Sequence, residues 1–236
     1  MEELQITPLV LGHLPDGIPL LGGMPITNTL VTGLIASVLL MIAALLVRFL
    51  VFPKFKELPR GLQNVVELIV ESMQNYTNSK VGSRAGEGLG PYMFTIAAYM
   101  AVNGLLELVG FEFLRPAPSD INQTIALALI TFILIRVLAY RKKGFWGRIK
   151  TSFLQPVPFI APVKLITDLA VPVSLSCRMF GNLLGGLVIM QLLYGLGVFS
   201  FVIPAFASTF FTLFHTGMQA FIFITLSLAF IEEAME

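Results

Sequence analysis

The sequence predicts an all-α membrane protein with five transmembrane helices and one amphipathic helix on the cytoplasmic side. The last two spans form a long, strongly tilted hairpin. Three observations carry this prediction. The chain is 56% hydrophobic with 12% charged residues and has a mean hydropathy of +0.85, outside the range of ordinary soluble domains. Five segments reach the ~20 apolar residues that a bilayer crossing needs. Residues 179–231 form a run of 53 without a Lys, Arg, Asp or Glu. A net charge of +1 gives little electrostatic footing for nucleic acid, so none is expected as a partner. Cys177 is the single cysteine and lies in apolar sequence, which implies neither a disulfide nor a metal site. With no internal repeat, residues 1–236 read as one integral membrane domain in contact with the lipid bilayer.

The elements follow in order. Residues 1–25 carry Glu2, Glu3, Asp16 and four prolines but no Lys or Arg, unlike a signal peptide, and are expected as an external segment. Spans are expected over 26–52, 92–111, 121–140, 163–194 and 198–231. Loop 53–91 holds Lys54, Lys56, Arg60, Lys80 and Arg84, and loop 141–162 holds Arg141, Lys142, Lys143, Arg148 and Lys150. The opposite side shows only Arg115, in loop 112–120. The positive-inside rule therefore places both basic loops and the tail 232–236 in the cytoplasm, with the N-terminus outside.

Within the first basic loop, Leu62, Val65, Val66, Ile69, Met73 and Tyr76 recur at spacings of three and four. Gln63, Asn64, Glu67, Glu71, Gln74 and Asn78 fill the other face. That pattern predicts an amphipathic helix over 60–80, lying at the interface or against the spans. The last two segments exceed an upright crossing. At ~1.5 Å per residue, their 32 and 34 residues would extend well beyond a hydrocarbon core of ~30 Å. Each must tilt, bend or protrude. Gly195 and Gly197 mark the turn between them.

The informative residue is Arg178, at the head of the uncharged run. Its guanidinium cannot be neutralised by losing a proton, and at the bilayer centre it costs at least ~2.5 kcal/mol. Helical spacing puts Ser174, Arg178 and Asn182 on one face, with Gly181 and Gly185 beside them. On the partner helix Thr212, His215, Thr216 and Gln219 form a second polar stripe. In an antiparallel hairpin Arg178 and Gln219 fall at one depth, where the Gln219 amide could accept from the guanidinium. Gly181, Gly185 and Gly186 allow another helix to approach closely. Asp168 lies ten residues before Arg178, ~15 Å toward the cytoplasm by helix rise. Asn103, Glu107, Glu112, Asp120 and Asn122 cluster at the outer ends of the second and third spans. Polar groups at these depths suggest that water reaches the level of Arg178 from each side, along separate routes.

Structural readings stand beside these. Arg178 could pair with a carboxylate, His215 could be a satisfied packing histidine, and Glu107 could partner Arg115 or Arg136. Arg136 is expected to snorkel to the cytoplasmic surface. The Phe-rich stretch 199–223 reads as lipid-facing or packing surface, with Phe223 taken as lipid-facing. Glu67 and Glu71 read as a solvated face.

At this point the residues match a family. Val173-Ser-Leu-Ser-Cys-Arg-Met-Phe-Gly-Asn182 resembles the S-L-x-x-R-L-F-G-N signature of subunit a of F-type rotary ATP synthases. Asn103-Gly-Leu, Pro118-Ser-Asp-Ile-Asn-Gln-Thr-Ile-Ala-Leu-Ala-Leu129 and Gln219-Ala-Phe-Ile-Phe follow in register. The likeness runs from about residue 26 to the end. It implies a non-catalytic stator without a cofactor, packed against a rotating c-ring of small ion-binding subunits and joined to peripheral-stalk b subunits. It also implies residence in a plasma membrane of bacterial type. Arg178 would be the family's essential arginine and Gln219 its neighbour. Asp120, Asn122 and Asn182 would belong to the outer half-channel, and Asp168 to the region of the inner one. The resemblance leaves open whether H+ or Na+ is carried. One departure stands out: Leu187 occupies a position where many members have a His or Glu, and His215 offers a replacement from the facing helix.

Two other classes compete. A secondary transporter could use Arg178 to bind an anionic solute, but the chain has no inverted repeat and no matched pair of short broken helices. An intramembrane enzyme would need a catalytic motif, and neither HExxH nor GxSxG occurs.

Overall fold

The computed structural model describes residues 9–13, 23, 25–55, 61–108, 115–143, 161–195 and 202–235. Side chains at 62, 83–87, 139–143, 161–169, 187, 190, 191, 194 and 202–205 lie outside that description, as do loop 144–160 and most of segment 1–25.

The first elements form a small antiparallel hairpin, β1 (Val10–His13) with β2 (Pro25–Thr27), which the sequence reading did not anticipate. It leads into α1 (Asn28–Leu46). Thr27 caps that helix, its Oγ1 accepting from the Leu30 backbone N–H at 3.3 Å, which satisfies one otherwise orphaned donor. The helix continues as a π turn (Val47–Val51) and a 3₁₀ turn (Phe52–Lys54). Pro53 explains the change of pitch, because its ring excludes a regular α turn there. Helix α1 is buried only near its start, at Asn28, Thr29, Thr32, Gly33 and Ala36. Below that, Val38, Met41, Leu45 and Leu46 are exposed.

Helix α2 (Leu62–Val81) packs against α3 (Ser83–Leu108). Its apolar and polar residues divide between the neighbouring helices and the exposed side. Gln63 and Thr77 are buried, whereas Val65, Leu68 and Ile69 are exposed. The amides satisfy themselves along the helix: Gln63 Nε2 donates to Glu67 Oε1 at 2.8 Å and Gln74 Nε2 to Asn78 Oδ1 at 3.0 Å. Such i,i+4 pairs let polar residues face other helices while the apolar side is left for lipid. Met73 and Tyr76 do pack inward, and the Tyr76 hydroxyl lies 2.8 Å from Thr225 Oγ1.

Helix α3 starts nine residues before the span expected from 92, running through Pro91. Gly90 sits against Gln74, in a place where a Cβ would overlap that side chain; α2 and α3 are held together at this point, and the proline is carried inside the helix. A 3₁₀ turn (Ala117–Ser119) then precedes α4 (Ile121–Lys143), α5 (Ala161–Tyr194) and α6 (Val202–Met235). Helices α5 and α6 are each 34 residues long, ~51 Å by helix rise. Among the described residues, four helical stretches are long and apolar enough to cross a membrane: Asn28–Lys54, Gly88–Leu108, Ile121–Leu138 and Phe206–Met235.

The core lies between α3, α4, α5 and α6. One cluster gathers Leu89, Met93, Ile135, Ile224, Leu228 and Ile231, and the next Ile96, Met100, Ala128, Leu175, Met179 and Phe223. Phe223 was expected at the lipid, yet it is 1% exposed. It falls one turn after Gln219, on the buried face of α6. The apolar outer face carries Phe206, Phe210, Phe214 and Phe221 instead.

Candidate functional site

Helix α5 turns its two faces the opposite way from a lipid-facing helix. Leu175, Met179 and Leu183, spaced by four, are buried in the bundle. Ser174, Cys177, Arg178, Gly181, Asn182 and Gly185 are exposed. In a membrane protein this leaves the small and polar side outward. A Cβ added to Gly181, Gly185 or Gly186 would meet nothing within 4 Å. Among the described residues no contact requires glycine there, and the face is open.

The two polar stripes meet through Asn182, whose Nδ2 donates to Gln219 Oε1 at 2.7 Å. The expected bond from Arg178 to Gln219 is replaced by this one. Gln219 is 7% exposed, and the buried amide takes the donor one helical turn beyond the arginine. The guanidinium is left on the exposed side.

Behind that pair lie two adjoining spaces. A cavity of about 300 Å³ is lined by Glu107, Gly181, Asn182, Gly185, Thr212 and His215, among others. A small void of about 30 Å³, room for one or two waters, reaches Asn103, Glu107, His215, Thr216 and Gln219. Glu107 and His215 border both. The structure thus brings Asn103, Glu107, Asn182, His215 and Gln219 together, from α3, α5 and α6. Two packing features fix this arrangement. Gly104 lies against Thr216, where a Cβ would overlap the threonine side chain. Asn103, 1% exposed, donates from Nδ2 to the Tyr99 carbonyl at 2.8 Å and accepts from the Ala117 N–H at 3.3 Å.

Asp120 stands apart from this group. It is 6% exposed; Oδ2 accepts from Thr29 Oγ1 at 3.0 Å and Oδ1 from the Asn122 N–H at 2.9 Å. The carboxylate caps α4 and ties it to α1. Asn122 is exposed at the start of α4. The Asp168 side chain lies outside the described residues. Arg136 places its guanidinium over the Phe132 ring, 4.8 Å from the centroid. Sequence reasoning missed Thr29 as the partner of Asp120 and Ser208 in the larger cavity. The Thr27-Asn-Thr29 sequence, a helix-start signal, pointed to that helix end but not to its partner.

Arg178 thus stands on an open glycine face of α5, near a cavity lined by Glu107 and His215, within the stretch that carries the sequence signature. A family model for the ATP synthase A chain matches residues 33–232. The chain belongs to that family. It is thus a subunit a of F-type ATP synthase, a multi-pass membrane protein and a non-catalytic, ion-translocating stator component of the membrane sector. The match covers α1 to α6 and includes every residue of the Asn103–Glu107–Asn182–His215–Gln219 group. Membership of the ATP synthase family also implies assembly with the rest of that complex.

Proposed function

We propose that this subunit a carries ions to and from the carboxylates of a rotating c-ring through two offset half-channels, coupling their flow to ATP synthesis. The observation that supports this reading best is the outward Arg178 on the glycine face of α5. A cation facing hydrocarbon is costly, whereas one facing a ring helix with a carboxylate gains a partner. The glycines leave room for that helix at close range. A ring carboxylate beside Arg178 is held ionised and releases its ion; the fixed positive charge repels an ion moving straight across. Ions then ride the ring around. The Glu107–His215 cavity forms the deep part of the outer half-channel, with Asn182 and Gln219 at its ring end and Asn103 behind. Asp120 and Asn122 belong to the outer mouth. Asp168 belongs to the inner half-channel. An anionic solute would need a pocket enclosing Arg178, and its exposure argues against one.

In this reading α5 also crosses the membrane, as the fourth of five spans, and α5 with α6 forms a steeply tilted hairpin, since each exceeds the ~30 Å core. The Lys/Arg asymmetry puts the N-terminus outside and the C-terminus in the cytoplasm of a bacterial-type plasma membrane. Peripheral-stalk b subunits hold the assembly fixed. The deciding experiment is Arg178→Ala in the whole complex. Ion-driven ATP synthesis is abolished although the complex assembles, and Arg178→Lys is severely impaired because the ammonium lacks the planar fork. Normal synthesis by the Ala variant would remove the assignment.

A further inference from the structure

Gly104 brings α3 onto α6, because it lies against Thr216 where a Cβ would overlap the threonine side chain. Glu107 follows Gly104 by three residues, on the same face of α3, and His215 immediately precedes Thr216 on α6. The close approach therefore sets a carboxylate and an imidazole from two helices around one small space. Both border the void of about 30 Å³ and the adjoining cavity of about 300 Å³.

Among the described residues neither side chain has a hydrogen-bond or ion-pair partner. Both are half-buried. Among the described residues that line the two spaces, Glu107 is the only acid and His215 the only imidazole, and no Lys or Arg is present. The rest of the polar lining is neutral, with hydroxyls and amides such as Thr212, Thr216 and Asn182. Two strong donors thus face a space large enough for a small ion and its water, with no cation of the chain between them.

We infer that Glu107 and His215 form an inhibitory binding site for one divalent cation of the zinc class, which enters by the ion route and blocks it. An imidazole nitrogen and a carboxylate oxygen are donors that zinc takes at ~2.0–2.2 Å. Mg2+ prefers oxygen ligands and holds its waters, so the magnesium that accompanies ATP does not compete. No group of three His, Cys, Asp or Glu suited to a metal occurs among the described residues. With two protein donors, water fills the remaining positions, and the ion exchanges freely, unlike one in a closed four-ligand structural cage. Once bound it occupies both ionisable groups of the cavity, ties α3 to α6 and leaves a net positive charge that repels an arriving H+ or Na+. The block rests on the reading of this cavity as part of the outer half-channel.

The test uses the intact ATP synthase complex, reconstituted in vesicles with its catalytic portion outward and Zn2+ enclosed, so that the metal meets the side of the α1 N-terminus. Enclosed Zn2+ slows ATP-driven pumping, read by dye quenching, and Mg2+ at the same concentration does not. A membrane-permeant chelator restores the rate. Glu107→Gln and His215→Gln each raise the half-inhibiting zinc concentration ~10-fold or more, since losing even the supporting partner of a ligand costs ~10–100-fold. Each variant is compared with its own metal-free rate. Co2+ bound in place of zinc gives the visible absorption of a nitrogen–oxygen site in the unaltered complex, and both variants lose it. If a variant does not assemble, zinc protection of His215 from diethylpyrocarbonate in the unaltered complex, mapped by mass spectrometry, takes its place. Metal-free variants that pump at full rate overturn the placing of this cavity on the ion route, and the block with it. Unchanged zinc sensitivity and cobalt absorption in either variant, or a His215 that zinc does not protect, overturns the metal site itself.

Discussion

Asn182 and Gln219 join the two longest helices of the chain through one hydrogen bond of 2.7 Å, and this bond leaves Arg178 facing outward. Asn182 lies one turn past the arginine, and it is its amide, not the guanidinium, that donates to the Gln219 oxygen. Among the described residues the guanidinium has no partner, and in the proposed function it serves a carboxylate that arrives from outside.

Breaking that bond should loosen the position of the arginine without removing its charge. A neutral hydrogen bond contributes ~0.5–1.5 kcal/mol net. Asn182→Leu and Gln219→Leu are each expected to slow ATP-driven pumping up to about tenfold, given that ~1.4 kcal/mol is tenfold. The double variant should be no worse than the poorer single one. Pumping measured by dye quenching in inverted vesicles checks this; fully additive losses would mean that the two amides act independently.

Two glycines should respond in opposite ways. Gly104→Ala drives a methyl group into Thr216 and forces α3 from α6, an overpacking cost of ~1–3 kcal/mol. The complex should melt at lower temperature. Gly181→Ala meets nothing within 4 Å, and alanine favours a helix by ~1 kcal/mol over glycine. The subunit should lose no stability, yet coupling should fall as the ring is held off. Thermal unfolding and pumping, measured on both, separate packing from docking.

Asp120 should behave as a structural clamp as well as part of the outer mouth. Asp120→Leu removes a helix cap worth ~0.5–2 kcal/mol and leaves Thr29 Oγ1 without its acceptor. Thr29→Val should reproduce much of the thermal destabilisation while keeping the carboxylate. If Thr29→Val melts normally and Asp120→Leu only slows ion flux, the clamp is unimportant and the channel role stands alone.

The orientation is open to chemical labelling. In a Cys177→Ser background, cysteine at Ser119 should react with an impermeant thiol reagent on intact cells, and cysteine at Lys142 should not. Labelling of position 142 from outside would reverse the arrangement of the two half-channels.

The sequence by itself determined the membrane class, the order of the helices, the position of Arg178 and its family signature. Hydrophobic length and Lys/Arg placement are local properties and can be read without coordinates. Periodicity also placed Ser174, Arg178 and Asn182 on one face. Which way each face turns was decided only by tertiary structure. Phe223 and Phe221 are two residues apart in one apolar helix, yet the first is buried and the second exposed. In a bilayer both bundle interior and surroundings are apolar, so hydrophobicity cannot tell them apart. For the same reason Val65 and Ile69 of α2 are exposed, while Gln63 and Thr77 are buried. The partnering of polar groups was likewise a tertiary outcome. Gln219 had two donors within helical reach, and the packing of Gly104 against Thr216 helps set the position of α6, whose Gln219 bonds Asn182. Thr29 and Asp120 lie 91 residues apart, and only the packed helices bring them together.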